Sequence, residues 1–185
     1  MTPWATFLRT MKVRQLFTHT DFENISRQHS SADTHRVLGQ VALPMFEPSQ
    51  EHNLNDGLLG KNVSQEPVIL EWLSKTHPDI EHVDVKWLKQ PPGTTVPDHY
   101  DRDGFWLKES LPADIDPDVK DVVRRLVFVT DWEPGQEWRF ENNKYTGWKA
   151  GTCVEWAWWA KHGTSNDSSN NRINIKLTAV RKGNY

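Results

Sequence analysis

Cysteine is nearly missing from this sequence. One, Cys153, stands in 185 residues, so no internal disulfide can form, which fits a reducing, cytoplasmic setting. It lies in a strand-like run and is expected to be a buried, inert thiol. Long apolar runs are also missing: none approaches the ~20 residues of a membrane span. The start lacks a basic stretch followed by an apolar one, so no secretory leader is expected. No block is rich in Lys or Arg. The 22 basic residues face 25 acidic ones, for a formal net charge of −3, which argues against a nucleic-acid partner. Internal repeats and low-complexity tracts are absent. The length predicts a single domain, 1–185, with a core that hides roughly 70% of the extended chain's surface.

Tryptophan is what the chain has in excess. Of ten, six fall between Trp132 and Trp159. Aromatics favour strands and bury much area, so most are expected in the core. Trp132, Trp138 and Trp106 are candidates for a pocket wall.

Residues 1–80 are read as helical and loop elements packed on a β core. Phe17–Ser26 is a short helix or turn, Ser26–Thr34 a polar loop, Val37–Met45 a strand, and Leu54–Val63 a loop. Pro67–Lys75 is a clearer helix. Pro67 suits a first turn, and Ile69, Leu70, Trp72 and Leu73 occupy one side, to pack on the outside of a sheet. In His82–Trp87, Val83, Val85 and Trp87 alternate with His82, Asp84 and Lys86, a half-buried strand expected to end near Leu88. Pro91-Pro92-Gly93 then turns the chain. Leu107–Asp121, acidic and proline-bearing, is a solvated connector or a lid. Strands follow at Arg125–Trp132, Glu137–Phe140, Thr152–Trp158 and Arg172–Val180. Short strands separated by turns predict a mainly β sandwich, jelly roll or barrel.

The chemistry lies in a few polar residues among these strands. Two histidines and one carboxylate on one side of a metal leave positions for other reactants, the ligand set of non-haem iron(II) sites. His and Asp two residues apart share a face of an extended chain. The spacing occurs at His19/Asp21, His77/Asp79, His82/Asp84 and His99/Asp101. His99/Asp101 fits best, because it follows a strand and a glycine turn and precedes the β-rich third; His82/Asp84 is the alternative. Asp103 is a nearby acid read as a surface or supporting group. His162 precedes the polar turn Gly163–Asn171. Arg172 and Asn174 share the polar face of the last strand, and the Arg172 guanidinium suits a carboxylate. Lys176 shares that face and is placed beyond the pocket.

Trp87 through Pro91-Pro92-Gly93 to His99-Tyr100-Asp101, then Arg125–Trp132, then Gly151 through His162 to Asn166, Ser168 and Arg172, together resemble the iron(II)- and 2-oxoglutarate-dependent oxygenases. The similarity spans about residues 83–180 and touches the prolyl-hydroxylase-like and the aspartyl/asparaginyl-hydroxylase-like branches. It implies a double-stranded β-helix core of jelly-roll, cupin-like type with a few flanking helices. It also implies that His99, Asp101 and His162 bind Fe(II). Arg172, helped by Asn174, would hold the distal carboxylate of 2-oxoglutarate, and Arg125 would contact cosubstrate or substrate or lie at the surface. The implied reaction uses molecular oxygen to hydroxylate a small molecule, an amino acid or a peptidyl residue, with release of succinate and CO2. Two other readings are a cupin-like metal enzyme that does not use 2-oxoglutarate, and a Trp-rich β-sandwich that only binds.

Overall fold

The computed structural model describes residues 35–54, 57–101, 111 and 121–183. Along them run β1 (His35–Gln40), β2 (His52–Asn53), β3 (Leu59–Asn62), α1 (Pro67–Thr76), β4 (Ile80–Gln90), β5 (Thr94–His99), β6 (Val122–Phe128), β7 (Gln136–Phe140), β8 (Asn143–Tyr145), β9 (Thr152–Ala157), β10 (His162–Asn166) and β11 (Arg172–Arg181). The strands form a major sheet in the order β1-β9-β6-β11-β4-β3-β2 and a minor sheet in the order β5-β10-β7-β8. From β4 onward the chain crosses repeatedly between the sheets: β4 major, β5 minor, β6 major, β7 and β8 minor, β9 major, β10 minor, β11 major. That winding is a double-stranded β-helix, and the fold is mainly β.

Two apolar clusters follow from strand alternation. Leu126 and Phe128 of β6, Val154 and Trp156 of β9, and Trp138 and Phe140 of β7 meet Trp148 between the sheets. On the outer face of the major sheet, Val123, Val127, Cys153, Ile175, Leu177, Val85 and Trp87 pack under α1. Burying each large apolar side chain contributes about 1.5–3 kcal/mol. Helix α1 begins with Pro67 and buries Ile69, Trp72 and Leu73, three and four residues apart, while Leu70 stays half exposed. It closes where the His77 N–H donates to the Leu73 carbonyl at 2.8 Å, and Pro78 cannot extend it.

Several boundaries differ from the sequence reading. The strand read at Val37–Met45 is there with shifted bounds, as β1, which pairs with β9, and β3, within the stretch read as a loop, pairs with β4. Strand β4 runs on to Gln90 because β11 and β3 pair with it from both sides. Leu88 faces inward with Asp84 and Lys86, so the polarity of the faces changes there while the strand continues. His162–Asn166, read as the start of a turn, is strand β10, held between β5 and β7. Its polar side chains are satisfied by cross-strand bonds, such as Thr164 Oγ1 to the Glu137 carbonyl at 2.8 Å and Asn166 Nδ2 to the Gln90 carbonyl at 2.7 Å. The readings of Phe17–Ser26 and Ser26–Thr34 lie outside the described residues, as does most of Leu107–Asp121.

Arg125 requires a correction. It points to the outer face of the major sheet, away from the space between the sheets. Its Nε donates to Glu155 Oε2 at 2.9 Å, its Nη1 and Nη2 to the two oxygens of Asp79, and its Nη1 lies 3.1 Å from His77 Nδ1. Glu155 also holds Arg36 and Arg181. This network ties α1's end to β1, β6, β9 and β11, and leaves Arg125 no role in a pocket. The reason is parity: Arg124 and Arg125 are neighbours on one strand and must face opposite ways.

Burial, helped by the Arg125 charge, lowers the His77 pKa to about 4. A histidine near 6.5 when unfolded then takes up its proton in the unfolded chain first. Its contribution to stability is complete above pH 6.5 and is lost as pH falls toward 4. Asp79, lowered to about 2 chiefly by its hydrogen bond from Arg125, acts only at more acidic pH. Urea midpoints of the metal-free protein should therefore fall between pH 6.5 and 4, and His77→Asn should flatten that slope. Part of the slope should persist through buried His162; an unchanged slope would remove His77 as a contributor.

Candidate functional site

The register of two minor-sheet strands brings two distant histidines together. His99 ends β5 and His162 opens β10, and the two are direct antiparallel partners. Their rings lie 4.5 Å apart, centroid to centroid. The register shifts just after His162, at Gly163. A Cβ on Gly163 would sit 2.3 Å from Asp98 Oδ1, 2.9 Å from an Arg139 nitrogen and 3.0 Å from the Asp98 backbone nitrogen, so a larger residue here would displace the Asp98–Arg139 pair and crowd β5.

Asp101, two residues beyond His99, turns back to the same point. Its Oδ1 is 3.9 Å from His99 Nε2, and its Oδ2 is 3.5 Å from His162 Nε2. One atom from each of the three residues falls within 4.8 Å of the others, a group able to hold one metal ion. Both imidazoles are set for this task. His99 Nδ1 lies 2.8 Å from the Pro97 carbonyl and His162 Nδ1 lies 3.1 Å from the Ala160 carbonyl. A carbonyl can only accept, so the proton sits on Nδ1 and the Nε2 lone pair faces the centre. Asp101 Oδ2 is buried and faces the Arg124 guanidinium as an ion pair, but accepts no hydrogen bond of good geometry among the described residues. Two imidazole lone pairs and an ionised carboxylate oxygen converging on one point suit a divalent metal. His82 and Asp84, the alternative pair, do not converge in this way: Asp84 accepts from Asn62 Nδ2 at 2.6 Å and lies 3.4 Å from Ser64 Oγ.

The charges around the centre keep it ready. Burial would raise the Asp101 pKa, but Arg124, Lys176 and His162 outweigh it and hold the carboxyl well below its usual range. Burial lowers His162 to about 4 against the pull of Asp101, so the ring is neutral at pH 7. Arg124 Nε lies 3.2 Å from Asp101 Oδ2, and Lys176 Nζ donates to Oδ1 at 3.0 Å. Lys176 is thus at the centre of the site, not beyond it. The β11 pairing explains this: Lys176 lies opposite Leu126 of β6 and Lys86 of β4, level with the end of the pocket that holds Asp101.

Arg172 starts the same inward row. It is 1% exposed. Its Nη1 donates to the Glu137 carbonyl at 3.0 Å, and its guanidinium carbon stands 5.7 Å from the centre of the Trp148 ring. With its amide oxygen turned toward Arg172, Asn174 accepts from Nε at 3.2 Å and donates to the Ile173 carbonyl at 3.0 Å. Among the described residues no carboxylate pairs with Arg172. Burial, and then the Arg139 charge, lowers its pKa to about 9. A buried guanidinium without an acid is costly unless an anion arrives.

The aromatic residues form the wall between these features. Trp156 meets His162 at a tilt, 5.2 Å centre to centre, and Trp138 edge-on at 5.3 Å, and Phe128 stacks on Trp148 at 4.1 Å. Trp138 therefore belongs to the wall, Trp132 packs at its edge, and Trp106 lies outside the described residues. Sequence reasoning missed Arg124, Trp148 and Trp156 as site residues. Arg124 could have been found from its parity with Leu126 and Phe128. Cys153 is fully buried, and burial pushes its thiol up to about 12, as suits an inert side chain.

No protein-family model and no curated protein matches this sequence. Solved structures do match. A prolyl-4-hydroxylase from Pseudomonas putida aligns over 72% of this chain and 79% of its own, at 13% identity and a TM-score of 0.53. The non-heme monooxygenase ThoJ, solved with nickel, aligns over 62% and 50%, at 16% identity and a TM-score of 0.43. A cupin 2 conserved barrel domain protein from Salinispora arenicola aligns over 74% and 88%, at 11% identity and a TM-score of 0.43. Among the described residues no helix is long and apolar enough to cross a membrane. The chain has a mainly β, double-stranded β-helix fold.

Proposed function

We propose that this protein is an iron(II)- and 2-oxoglutarate-dependent oxygenase that hydroxylates a small molecule, an amino acid or a peptidyl residue. The observation that carries the reading is the pairing of two features in one pocket. His99, Asp101 and His162 form a metal-competent group, and Arg172, buried without an acid partner among the described residues, lies on the inward face of β11 four residues from Lys176, which touches Asp101. A dicarboxylate with one end at the metal and the other on Arg172 satisfies both. The likeness to a prolyl-4-hydroxylase in fold supports the same class.

His99 and His162 would hold the iron through Nε2, and Asp101 through a carboxylate oxygen. When bound, the iron and 2-oxoglutarate supply the oxidising chemistry, in which one oxygen atom ends in succinate, the other in the product, and CO2 leaves. The protein's work is placement. The Pro97 and Ala160 carbonyls fix the imidazole tautomers. Arg172 presents a rigid fork, steadied by Asn174 and the Glu137 carbonyl. The wall of Trp138, Trp148, Trp156, Phe128 and Phe140 keeps water from the space between the sheets.

His162→Ala should abolish iron(II) binding in equilibrium dialysis while the far-ultraviolet dichroism stays that of the wild type. His82→Ala should bind iron normally. The opposite pattern would move the metal to the other His-x-Asp pair.

A charge-assisted pair between guanidinium and carboxylate contributes about 1.5–3 kcal/mol, so Arg172→Ala should weaken 2-oxoglutarate binding about tenfold or more. Arg172→Lys keeps the charge without the fork and should fall between Arg172→Ala and wild type. The measurement is succinate release against 2-oxoglutarate concentration with iron saturating. An unchanged dependence in Arg172→Ala would place the cosubstrate elsewhere. A wild type that never releases succinate would favour the cupin-like metal enzyme.

A further inference from the structure

The inward face of the major sheet carries more positive charge beside the metal group than the oxygenase reading uses. Arg172 accounts for one end of the pocket. At the other end, Arg124 and Lys176 both close on the single carboxylate of Asp101, at 3.2 Å and 3.0 Å. Lys86 lies opposite Lys176 across the β4–β11 pairing and adds a further cation at the rim. Among the described residues, Asp84 is another acid nearby; it lies 4.0 Å from Lys86 and accepts from Asn62. Arg124 is fixed, with its guanidinium also donating to Thr178. The Lys176 side chain is 22% exposed and carries its amine on a flexible stem.

Metal binding changes this balance. A dication drawing on Asp101 competes for the charge that Lys176 and Arg124 now share. A cosubstrate carboxylate at the metal returns one negative charge, and Arg172 takes the other. Among the described residues, the metal's two positive charges and those of Arg124, Lys176 and Arg172 would then face one negative charge from Asp101 and two from the cosubstrate, so positive charge beside Asp101 stays unmatched, and such charge is costly to leave alone in a largely buried site.

We propose that Lys176, backed by Arg124, binds an anionic group of the substrate, so that the substrate is a molecule bearing a free carboxylate next to the carbon to be oxidised. The assignment rests on the oxygenase reading and narrows it to one substrate class. Lys176 acts as a specificity residue: it selects for charge and sets the substrate's orientation against the metal. A neutral substrate would leave the cation unpaired and bind more weakly.

The test uses zinc-loaded protein, in which no turnover occurs, saturated with 2-oxoglutarate. The probes are the N-acetyl derivatives of the common amino acids, each as carboxylate and as carboxamide, titrated by calorimetry. At least one should bind about tenfold tighter as the carboxylate, the size of a charge-assisted hydrogen bond. Lys176→Met, similar in length but neutral, should bring that ratio close to one, and Lys176→Arg should retain most of it. A ratio near one in the wild type, a ratio unchanged in Lys176→Met, or no binding by any probe would overturn the proposal. So would a loss of 2-oxoglutarate affinity in Lys176→Met with the probe ratio intact, since Lys176 would then serve the cosubstrate. Failure of the oxygenase reading itself shows separately, as zinc-loaded wild type that does not bind 2-oxoglutarate; the same probe pairs, titrated without it, still report on Lys176.

Discussion

The site depends on the antiparallel register between β5 and β10. Directly opposed residues on such a pair bring their side chains within about 5 Å, and a shift of one residue turns every side chain to the other face. Pairing His99 with His162 is therefore what makes a metal group from residues more than sixty positions apart. Gly163 permits the close approach, and β7 holds β10 from the other side. Everything else in the pocket is arranged relative to this pair.

Charge is distributed by the same alternation. On β11 every second residue from Arg172 to Thr178 faces inward, and Ile173, Ile175 and Leu177 face the helix-covered side. On β6 the inward row is Arg124, Leu126 and Phe128. Adjacent arginines thus have different fates. Arg124 closes on Asp101, and Arg125 ties the helix end to the outer face through Asp79 and Glu155. One arginine helps to hold the Asp101 carboxylate ionised, and the other anchors the scaffold.

The pocket joins a rigid aromatic wall to a strongly cationic floor. Low polarity strengthens each ionic contact and raises the cost of each unmatched one. Such a site favours ligands that bring charge of the right sign to fixed places. Arg172, held by a carbonyl and an amide but by no acid among the described residues, is the clearest instance. Lys176 and Arg124, sharing one carboxylate, are the second.

Much of this was legible in the sequence, because strand parity is local. The alternation in His82–Trp87 and Arg172–Leu177, the glycine turn before His99, and the Pro67 helix each rest on near neighbours; residue types alone indicated a mainly β sandwich, jelly roll or barrel, and the family resemblance narrowed this to a double-stranded β-helix. What required the tertiary structure was every fact that depends on which strand lies beside which. Strand β3 is short and polar, and it is a strand because β4 offers it an edge; β1, overlapping the strand read at Val37–Met45, takes its bounds from pairing with β9. Polar β10 is a strand because two neighbours satisfy its hydrogen bonds. Lys176 reached the metal group, and Arg125 left the pocket, through register and parity between β11, β6 and β4. The sequence alone determined which residues could carry the chemistry; cross-strand pairing, a non-local constraint, decided which of them meet.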